Sequence, residues 1–172
     1  STSTGAPTAT STPTPTATTS SSAGTYQNTK YNFKFTLPPG ASIASQSDTI
    51  GRVNLPIVSP GTNLSEKYIQ IHVVEGVNPC VSPDVDGTIT STENVTINNI
   101  PFVKTMGQGV AAGNRYDWTV YATTNNNACI TLAFILHSTN PGNWPTPPPV
   151  FDSETESVVF GTTMSTYNKI TP

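Results

Sequence analysis

The stretch Cys129-Ile-Thr-Leu-Ala-Phe-Ile-Leu-His137 decides the fold, because it lies in the most hydrophobic part of the 172-residue chain. In an extended strand, successive side chains point to opposite faces of the sheet. One face of this strand is fully apolar and carries Ile130, Leu132, Phe134 and Leu136. The other face is partly apolar. A strand that is apolar on both faces is covered on both, so the pattern predicts an interior strand.

A second strand is predicted directly before this one. Residues 115–121 (Arg-Tyr-Asp-Trp-Thr-Val-Tyr) alternate in the same way, and residues 124–127 between the two are Thr-Asn-Asn-Asn. Asparagine tolerates the left-handed backbone of a hairpin turn. The two segments therefore predict an antiparallel hairpin from which the rest of the sheet is built.

Alternation of polar and apolar residues predicts further strands elsewhere. They lie at residues 31–37, 68–74, 93–97 and 100–105, with a turn at Asn98 and Asn99. Residues 52–57 predict an edge strand, because Pro56 has no N–H group to donate to a central ladder. Residues 64–67 are compatible with one helical turn.

A clear helix signal occurs near the C-terminus. Ser153-x-x-Glu156 fits a capping box, and Phe160, Met164 and Tyr167 recur at helical spacing. A short final strand is predicted at residues 166–170. The predicted fold class is α+β, a mainly antiparallel β-sheet with one C-terminal helix.

Residues 1–25 contain only Ser, Thr, Pro, Ala and Gly. Such a segment cannot bury enough surface to offset its chain entropy, so it is predicted to be a disordered tether before a single β-rich domain at residues 26–172. Two interpretations remain open: an O-glycosylated stalk, with Thr12, Thr14 and Thr16 as candidate acceptors, and a bare linker. Addition to a neighbouring sheet ranks last, because proline lacks the N–H donor.

The composition excludes some classes of partner. Only 10 % of residues are charged, the net charge is -3, and the seven Lys and Arg residues are scattered singly. Nucleic-acid binding is therefore not expected, because no basic stripe can follow a phosphate backbone. No apolar run reaches the length of a membrane-spanning helix. The abundance of Ser, Thr, Asn and Pro favours an extracellular or cell-surface location.

The chain has two cysteines, Cys80 and Cys129, and neither has a Cys or His neighbour at metal-binding spacing. A disulfide between them is predicted, since residues 68–74 and 129–137 are both strongly apolar strands and can be neighbours. The alternative is a pair of buried thiols in a reducing compartment.

Residues at both ends of the domain resemble a known family. Tyr-x-Asn-Phe-x-Phe-x-x-Pro-x-Gly (Tyr31 to Gly40), the antiparallel middle, and the late helix leading into Ser165-Thr-Tyr167 resemble the Mog1/PsbP-like domains of bacterial lipoproteins and secreted proteins. The resemblance spans nearly all of residues 26–172 and implies an α+β sandwich. It implies no activity, because members of this group bind quite different partners.

Two groups of residues resemble parts of metal sites. Asp84-Val-Asp86-Gly87 resembles the start of a calcium loop, but lacks its later ligands, and a plain Asp-Gly turn is the favoured interpretation. His72 and His137 fall on predicted strands and could share a zinc ion, although such histidines are more often half-exposed on a polar face. No cofactor is expected.

Several polar and aromatic residues are candidate surface groups. Asn63 and Asn94 fit the N-glycosylation pattern. A contact surface for carbohydrate or protein is predicted from Tyr116, Tyr121, Trp144, Asn125, Asn126 and Asn127. Trp118 is assigned to the core. The acidic cluster at residues 152–156 is explained by a helix N-terminus.

The sequence shows no catalytic motif of the common hydrolase, metalloprotease or phosphate-loop types. We expect a non-enzymatic, exported, surface-tethered binding or assembly domain. Its partner is expected to be a cell-surface or extracellular protein or carbohydrate, or further copies of itself in an extracellular polymer. The alternative is a polysaccharide-acting hydrolase or accessory enzyme whose carboxylates are brought together by the fold.

Overall fold

The computed structural model describes residues 24–81 and 85–170. Residues 1–23 of the predicted tether, with Thr12, Thr14 and Thr16, and the calcium candidate Asp84 lie outside these ranges. Thr25, the last residue of the predicted tether, begins the first strand. The described residues form ten strands, one α-helix and a short 3-10 helix at Pro141–Asn143. The strands are β1 (Thr25–Asn28), β2 (Phe33–Thr36), β3 (Ser42–Gln46), β4 (Ile50–Asn54), β5 (Leu64–Glu75), β6 (Thr88–Ile97), β7 (Ile100–Ala111), β8 (Asn114–Asn125), β9 (Ala128–Thr139) and β10 (Asn168–Lys169), and the helix is α1 (Ser153–Met164).

Seven strands form one antiparallel sheet in the order β3-β4-β5-β9-β8-β7-β6. Strand β9 lies at its centre, between β5 and β8, so the predicted interior strand and its hairpin with β8 are confirmed. The predicted proximity of β5 and β9 is also confirmed, with Val74 opposite Cys129. The α+β class predicted from the sequence is the class observed.

Asparagine pairs make two of the tight hairpin turns. Asn126 and Asn127 have φ values of 48° and 62° between β8 and β9, and Asn98 and Asn99 have φ values of 51° and 62° between β6 and β7. Positive φ at both central residues is the geometry that matches the twist of paired strands. Both turns therefore lie where the sequence predicts them.

Some boundaries differ from the prediction. Strand β4 is an interior strand rather than an edge strand, because β3 pairs with its outer side and Pro56 lies beyond its end. Residues 64–67 belong to β5 instead of a helical turn, since they pair with the end of β9. The N-cap of α1 is Asp152 rather than Ser153: its carboxylate accepts the N–H of Glu154.

The two faces of the main sheet are covered differently. On the covered face, the apolar residues of β5, β8 and β9 pack against α1 and against the small sheet β1-β2-β10. Phe134 contacts Phe160 of the helix, with ring centroids 4.8 Å apart, and Phe102 contacts Tyr167 at 5.1 Å. The main core therefore lies between the sheet and this second layer.

The opposite side, here called the open face, carries a smaller cluster of buried residues that includes Tyr68, Trp118 and Ile135. Strands β5 and β6 lie far apart in the sheet, and the described parts of their connection, residues 76–81 and 85–87, are here called the crossing loop. It passes over the open face, where Cys80 is bonded to Cys129 and Val85 packs against the cluster. The predicted disulfide is thus confirmed.

Candidate functional site

A groove lies on the open face beside the crossing loop. It has a volume of about 380 Å³ and is called here the aromatic groove. Three aromatic residues from β5 and β8 line it, together with Val85 and Asp86 of the crossing loop. The aromatic residues are Tyr68, Tyr116 and Trp118. Pockets that combine aromatic walls with a few polar groups are typical ligand sites.

Two glycines of β7 make room for the walls of this groove. A Cβ atom on Gly107 would collide with the ring of Trp118 and the carbonyl oxygen of Thr88. A Cβ atom on Gly109 would meet the carbonyl oxygen of Asp86 at 2.5 Å. Glycine in a strand often marks such a close approach. The Trp118 ring and the crossing loop can therefore lie directly on β7.

Gly107→Ala is expected to lower the free energy of unfolding by about 1–3 kcal/mol, because the added methyl group overpacks the Trp118 contact. Gly161→Ala is the matched control: its Cβ would meet nothing within 4 Å on the exposed side of α1. That change should stabilise the protein by about 0.5–1 kcal/mol, since alanine favours helix. Urea unfolding measures both, and equal effects would contradict the proposed contact.

The indole of Trp118 is a donor without a described acceptor. Trp118 is only 4 % exposed, and its Nε1 atom has no hydrogen-bond partner among residues 24–81 and 85–170. A buried Trp N–H usually finds a partner, and leaving it unpaired costs about 1–3 kcal/mol. Among the residues that the structure describes, this indole therefore donates to no acceptor.

A polar network borders the aromatic groove on the β4 side. The guanidinium of Arg52 lies over the Tyr68 ring, 3.8 Å from its centroid, and donates to Glu66 at 2.8 Å. The other carboxylate oxygen of Glu66 lies 2.8 Å from Nδ1 of His137. Hydrogen bonds from His137 and Arg52 lower the pKa of the Glu66 carboxyl against the opposing effect of burial. The network fixes the Arg52–Tyr68 stack.

His137 joins this network to the far side of the groove. Its Nε2 atom lies 3.1 Å from Oδ1 of Asn114, and its ring stacks on Tyr116 with centroids 4.4 Å apart. Tyr116 is half-buried and has one face against this imidazole. The Tyr116 ring is therefore held in place without a ligand.

A second groove, called here the amide groove, adjoins the first at the hairpin end of β7 and β8. Its volume is about 470 Å³. The two grooves share Val110 and Ala111, and the amide groove also contains Asn63, Asn114, Arg115, Ser138, Thr139 and Asn140. Trp144 lies beside it: this residue is 52 % exposed, and its Nε1 donates to Oγ1 of Thr139 at 3.4 Å. The two grooves therefore meet at Val110 and Ala111, at the hairpin end of the sheet.

The predicted contact surface is assembled only in part. Tyr116 and Trp144 both lie at the joined grooves. Asn126 and Asn127 are exposed, but they form the turn at the opposite end of β8, about 30 Å along the strand from Tyr116. These two asparagines therefore do not share a site with the aromatic residues.

Two members of that predicted surface are buried, and the prediction is wrong for them. Tyr121 packs on the covered face, edge to face with Phe102 and Phe134. Asn125 is 7 % exposed, and its side-chain amide donates to the carbonyl of Tyr31 at 2.7 Å. Both side chains belong to the main core, because odd-numbered residues of β8 point toward it.

The two N-glycosylation candidates, Asn63 and Asn94, differ in their exposure to solvent. Asn63 is 7 % exposed, its Nδ2 donates to the carbonyl of Thr139, and its Oδ1 accepts the N–H of Phe151. Its amide is therefore not available as a glycan acceptor in the folded protein, and this prediction is corrected. Asn94 is exposed on β6 and stays a candidate.

The described residues do not assemble a metal site. His72 pairs in register with Thr131, and His137 pairs with Glu66, so the two histidines lie six residues apart along the strands, about 20 Å. Within the described ranges, no group of three His, Cys, Asp or Glu residues is placed to hold a metal ion. Asp86 lines the aromatic groove, while its predicted partner Asp84 is outside the described residues.

Sequence interpretation missed the contribution of β5 to this site. Tyr68 and Gln70 line the aromatic groove, and Glu66 lies on the same face. The signal was present, because these residues alternate with Ile69 and Ile71, which point into the core. The side opposite a predicted apolar stripe is where open-face residues must lie.

The fold is similar to that of known structures. Cyanobacterial PsbP (CyanoP) from Synechocystis sp. PCC 6803 is 13 % identical, with a TM-score of 0.48, and the match covers 86 % of this chain and 92 % of that protein. A protein from Bacteroides thetaiotaomicron VPI-5482 is 14 % identical, with a TM-score of 0.50 and coverages of 87 % and 49 %. This chain therefore spans about half of the Bacteroides protein.

The overall fold resembles that of the cyanobacterial PsbP structure. The resemblance predicted from the sequence is thus confirmed at the level of the fold, and similarity at these identities extends no further. No protein-family model matches the chain, and no curated protein matches it. In the part of the chain that the structure describes, no helix is long and apolar enough to cross a membrane.

Proposed function

We propose that this protein is an exported, surface-tethered binding domain that holds an extracellular macromolecule on its open face. The observation that carries the proposal is the pair of joined grooves between Trp118 and Trp144. Tyr116 and Trp144 keep accessible aromatic surface at these grooves, whereas Tyr68 and Trp118 are buried in the walls. A concave site with aromatic walls and a few polar groups is typical of ligand binding. The helix α1 and the small sheet β1-β2-β10 cover the opposite face of the main sheet, so they do not cover these grooves.

Two further observations support an extracellular location. The Cys80–Cys129 disulfide is of the kind that persists in oxidising compartments. The low charge and the Ser/Thr/Pro-rich segment at residues 1–25 are typical of exported surface proteins. A tether of this composition would present the domain at a distance from its anchor.

The hydrolase alternative requires two carboxylates beside one substrate site. Among the described residues, Asp86 is the acidic side chain that lines the aromatic groove, and the amide groove adds no second one. No specific observation therefore favours hydrolysis over binding, and the same experiment tests both.

The test is retention of the full chain on the insoluble extracellular polymer fraction of its source organism. We expect wild-type protein to co-sediment with this fraction and to release no reducing ends. Trp144→Ala should reduce retention by about tenfold, because it removes an exposed aromatic contact. Val158→Ala, a change at a more exposed apolar side chain on α1, should leave retention unchanged. Absence of retention would overturn the proposal, and release of reducing ends would establish the hydrolase instead.

A further inference from the structure

The chemistry of the joined grooves restricts the class of ligand. Arg115 is the cationic side chain among the described residues that line them, and it is already engaged. Its guanidinium donates to both carboxylate oxygens of Asp117 and to Gln108 at 2.8–3.0 Å. Asp86 adds a negative charge to the aromatic groove. An anionic ligand is therefore not favoured.

The polar groups of the grooves match a ligand that both donates and accepts hydrogen bonds. Asp86 is an acceptor in the aromatic groove, and the amide groove contains Asn114 and Thr139. The Nδ2 of Asn114 makes a long contact of 3.5 Å with the carbonyl of Ala112, and the Oγ1 of Thr139 accepts from Trp144 Nε1. Asparagine and threonine each offer donor and acceptor atoms. A hydroxyl group also plays both roles, so a chain rich in hydroxyls satisfies such a surface.

The position of the grooves disfavours an extended peptide. Peptides that bind to sheets usually add a strand at an edge, where backbone groups are unpaired. These grooves lie on the face of interior strands, whose N–H and C=O groups are used in the ladders of β5, β9 and β8. A ligand here must be held by side chains and ring faces.

We propose that the joined grooves bind a neutral saccharide chain of several sugar units. The apolar C–H face of one sugar packs on Tyr116 in the aromatic groove, and a later unit contacts Trp144 beyond the amide groove. Asp86 and the Nδ2 of Asn114 bind hydroxyl groups of the sugars. This inference rests on the proposed function and names its ligand class.

The two tryptophans of the chain provide a direct measurement, because both lie at this surface. The full chain is titrated separately with cellohexaose, chitohexaose and mannohexaose while intrinsic fluorescence is recorded. Oligogalacturonate serves as the anionic probe, and an uncharged Ser/Thr-rich peptide as the peptide probe. Trp144→Phe leaves Trp118 as the single reporter of the aromatic groove.

We expect at least one neutral hexasaccharide to change the fluorescence saturably. Tyr116→Ala and Asp86→Asn should each weaken its affinity by about tenfold, the effect of losing one good contact. Asp48→Asn is the matched control: it removes the same charge at an exposed position outside both grooves. Asp86→Asn changes an exposed side chain without altering its size, so the variant is expected to fold as the wild type does. A change in its affinity therefore reports on the ligand contact.

Three outcomes would overturn the inference: no response to any neutral saccharide, a response only to the anionic or peptide probe, or binding that Tyr116→Ala and Asp86→Asn leave unchanged. If the protein is retained on its native polymer fraction but none of the saccharides binds, the proposed function stands and the saccharide assignment fails. If neither experiment gives binding, both fail.

Discussion

Replacing Lys67 with methionine is expected to lower the free energy of unfolding by about 3–5 kcal/mol. Lys67 points from β5 into the core, and its Nζ lies 2.8 Å from Oε2 of Glu156, with 1 % and 0 % of the two side chains exposed. Removing the cation leaves a carboxylate buried without its counter-charge, which is more costly than losing an exposed pair. Urea unfolding at neutral pH measures the effect.

The carboxylate of Glu156 connects three parts of the fold. Its Oε1 accepts the N–H of Ser59 at 2.9 Å, and its Oε2 accepts the N–H of Val58 at 3.1 Å. Glu156 lies in the first turn of α1, where the helix dipole favours a negative charge. The loop after β4, strand β5 and the helix therefore meet at one buried group.

A surface ion pair supplies the control for this prediction. Lys104 Nζ lies 2.7 Å from Oε1 of Glu93, but these side chains are 24 % and 54 % exposed. Lys104→Met should cost less than about 1 kcal/mol, because water screens such a pair. Lys67→Met combined with Glu156→Gln should cost less than the sum of the single changes, since neither charge is then left alone. Equal costs for Lys67→Met and Lys104→Met would refute the argument.

The Lys67–Glu156 pair also predicts that the free energy of unfolding depends on pH. Burial raises the pKa of Glu156, but hydrogen bonds from Lys67, Ser59 and Val58 outweigh it, so the pKa is lowered. The unfolded carboxyl titrates at about 4.3. Between the two pKa values the unfolded chain binds more protons than the folded protein. The contribution of Glu156 is therefore complete above the unfolded pKa and is lost as the pH falls through the folded pKa.

In Lys67→Met the pKa shift of Glu156, and with it the pH dependence of stability, should change sign. Without the ammonium, burial is opposed by the N–H groups of Val58 and Ser59 and by the helix dipole, and we expect the pKa of Glu156 to rise above its unfolded value. The folded variant then binds the extra proton, so its stability rises as the pH falls. The stability difference between wild type and Lys67→Met should narrow from neutral pH to about pH 4. A difference that stays constant would show that the lost interaction is not electrostatic.

The sequence predicted those strands and turns whose own residues show the apolar alternation or the turn asparagines that define them. Strand β9 is apolar on both faces, and the turn asparagines have the positive φ values that the hairpins need. Strand β3 was missed because all five of its residues are exposed, so no alternation marks it. Strand β6 was recognised only over residues 93–97, because most of its side chains are exposed on both faces.

The candidate site was harder to predict, because it depends on contacts between distant segments. The crossing loop brings Val85 and Asp86 onto β5 and β8, and no local pattern indicates which face such a loop crosses. One error was avoidable: Tyr116 and Tyr121 are five residues apart in a strand, so they must point to opposite faces. The pair Lys67–Glu156, 89 residues apart, leaves no local signal.

Reduction of the Cys80–Cys129 disulfide is expected to lower the free energy of unfolding by about 2–5 kcal/mol. The bond joins residues 49 apart in sequence, with a Cα–Cα distance of 5.1 Å. The loop-entropy relation gives about 4 kcal/mol for a closed loop of this length. The closed loop contains the whole β6–β7 hairpin, so its opening enlarges the unfolded ensemble considerably.

The matched variants separate the bond from its side chains. The double change Cys80→Ala and Cys129→Ala should unfold at the same urea concentration with and without reductant, whereas the wild type should shift on reduction. Cys80→Ser should match the reduced wild type, apart from a small contribution of the half-buried Cys80 side chain. Two thiols that alkylate freely in the native, unreduced protein would contradict the bond.

The disulfide should also support the aromatic groove, because it anchors the start of the loop that carries Val85 and Asp86. Reduced protein that is still folded at low temperature should bind a neutral hexasaccharide more weakly than oxidised protein, since the loop must then be ordered on binding. The Trp118 fluorescence of Trp144→Phe reports this difference directly. Unchanged affinity after reduction would show that β7 contacts at Gly109 alone hold the loop, and that the disulfide contributes to global stability without shaping the site.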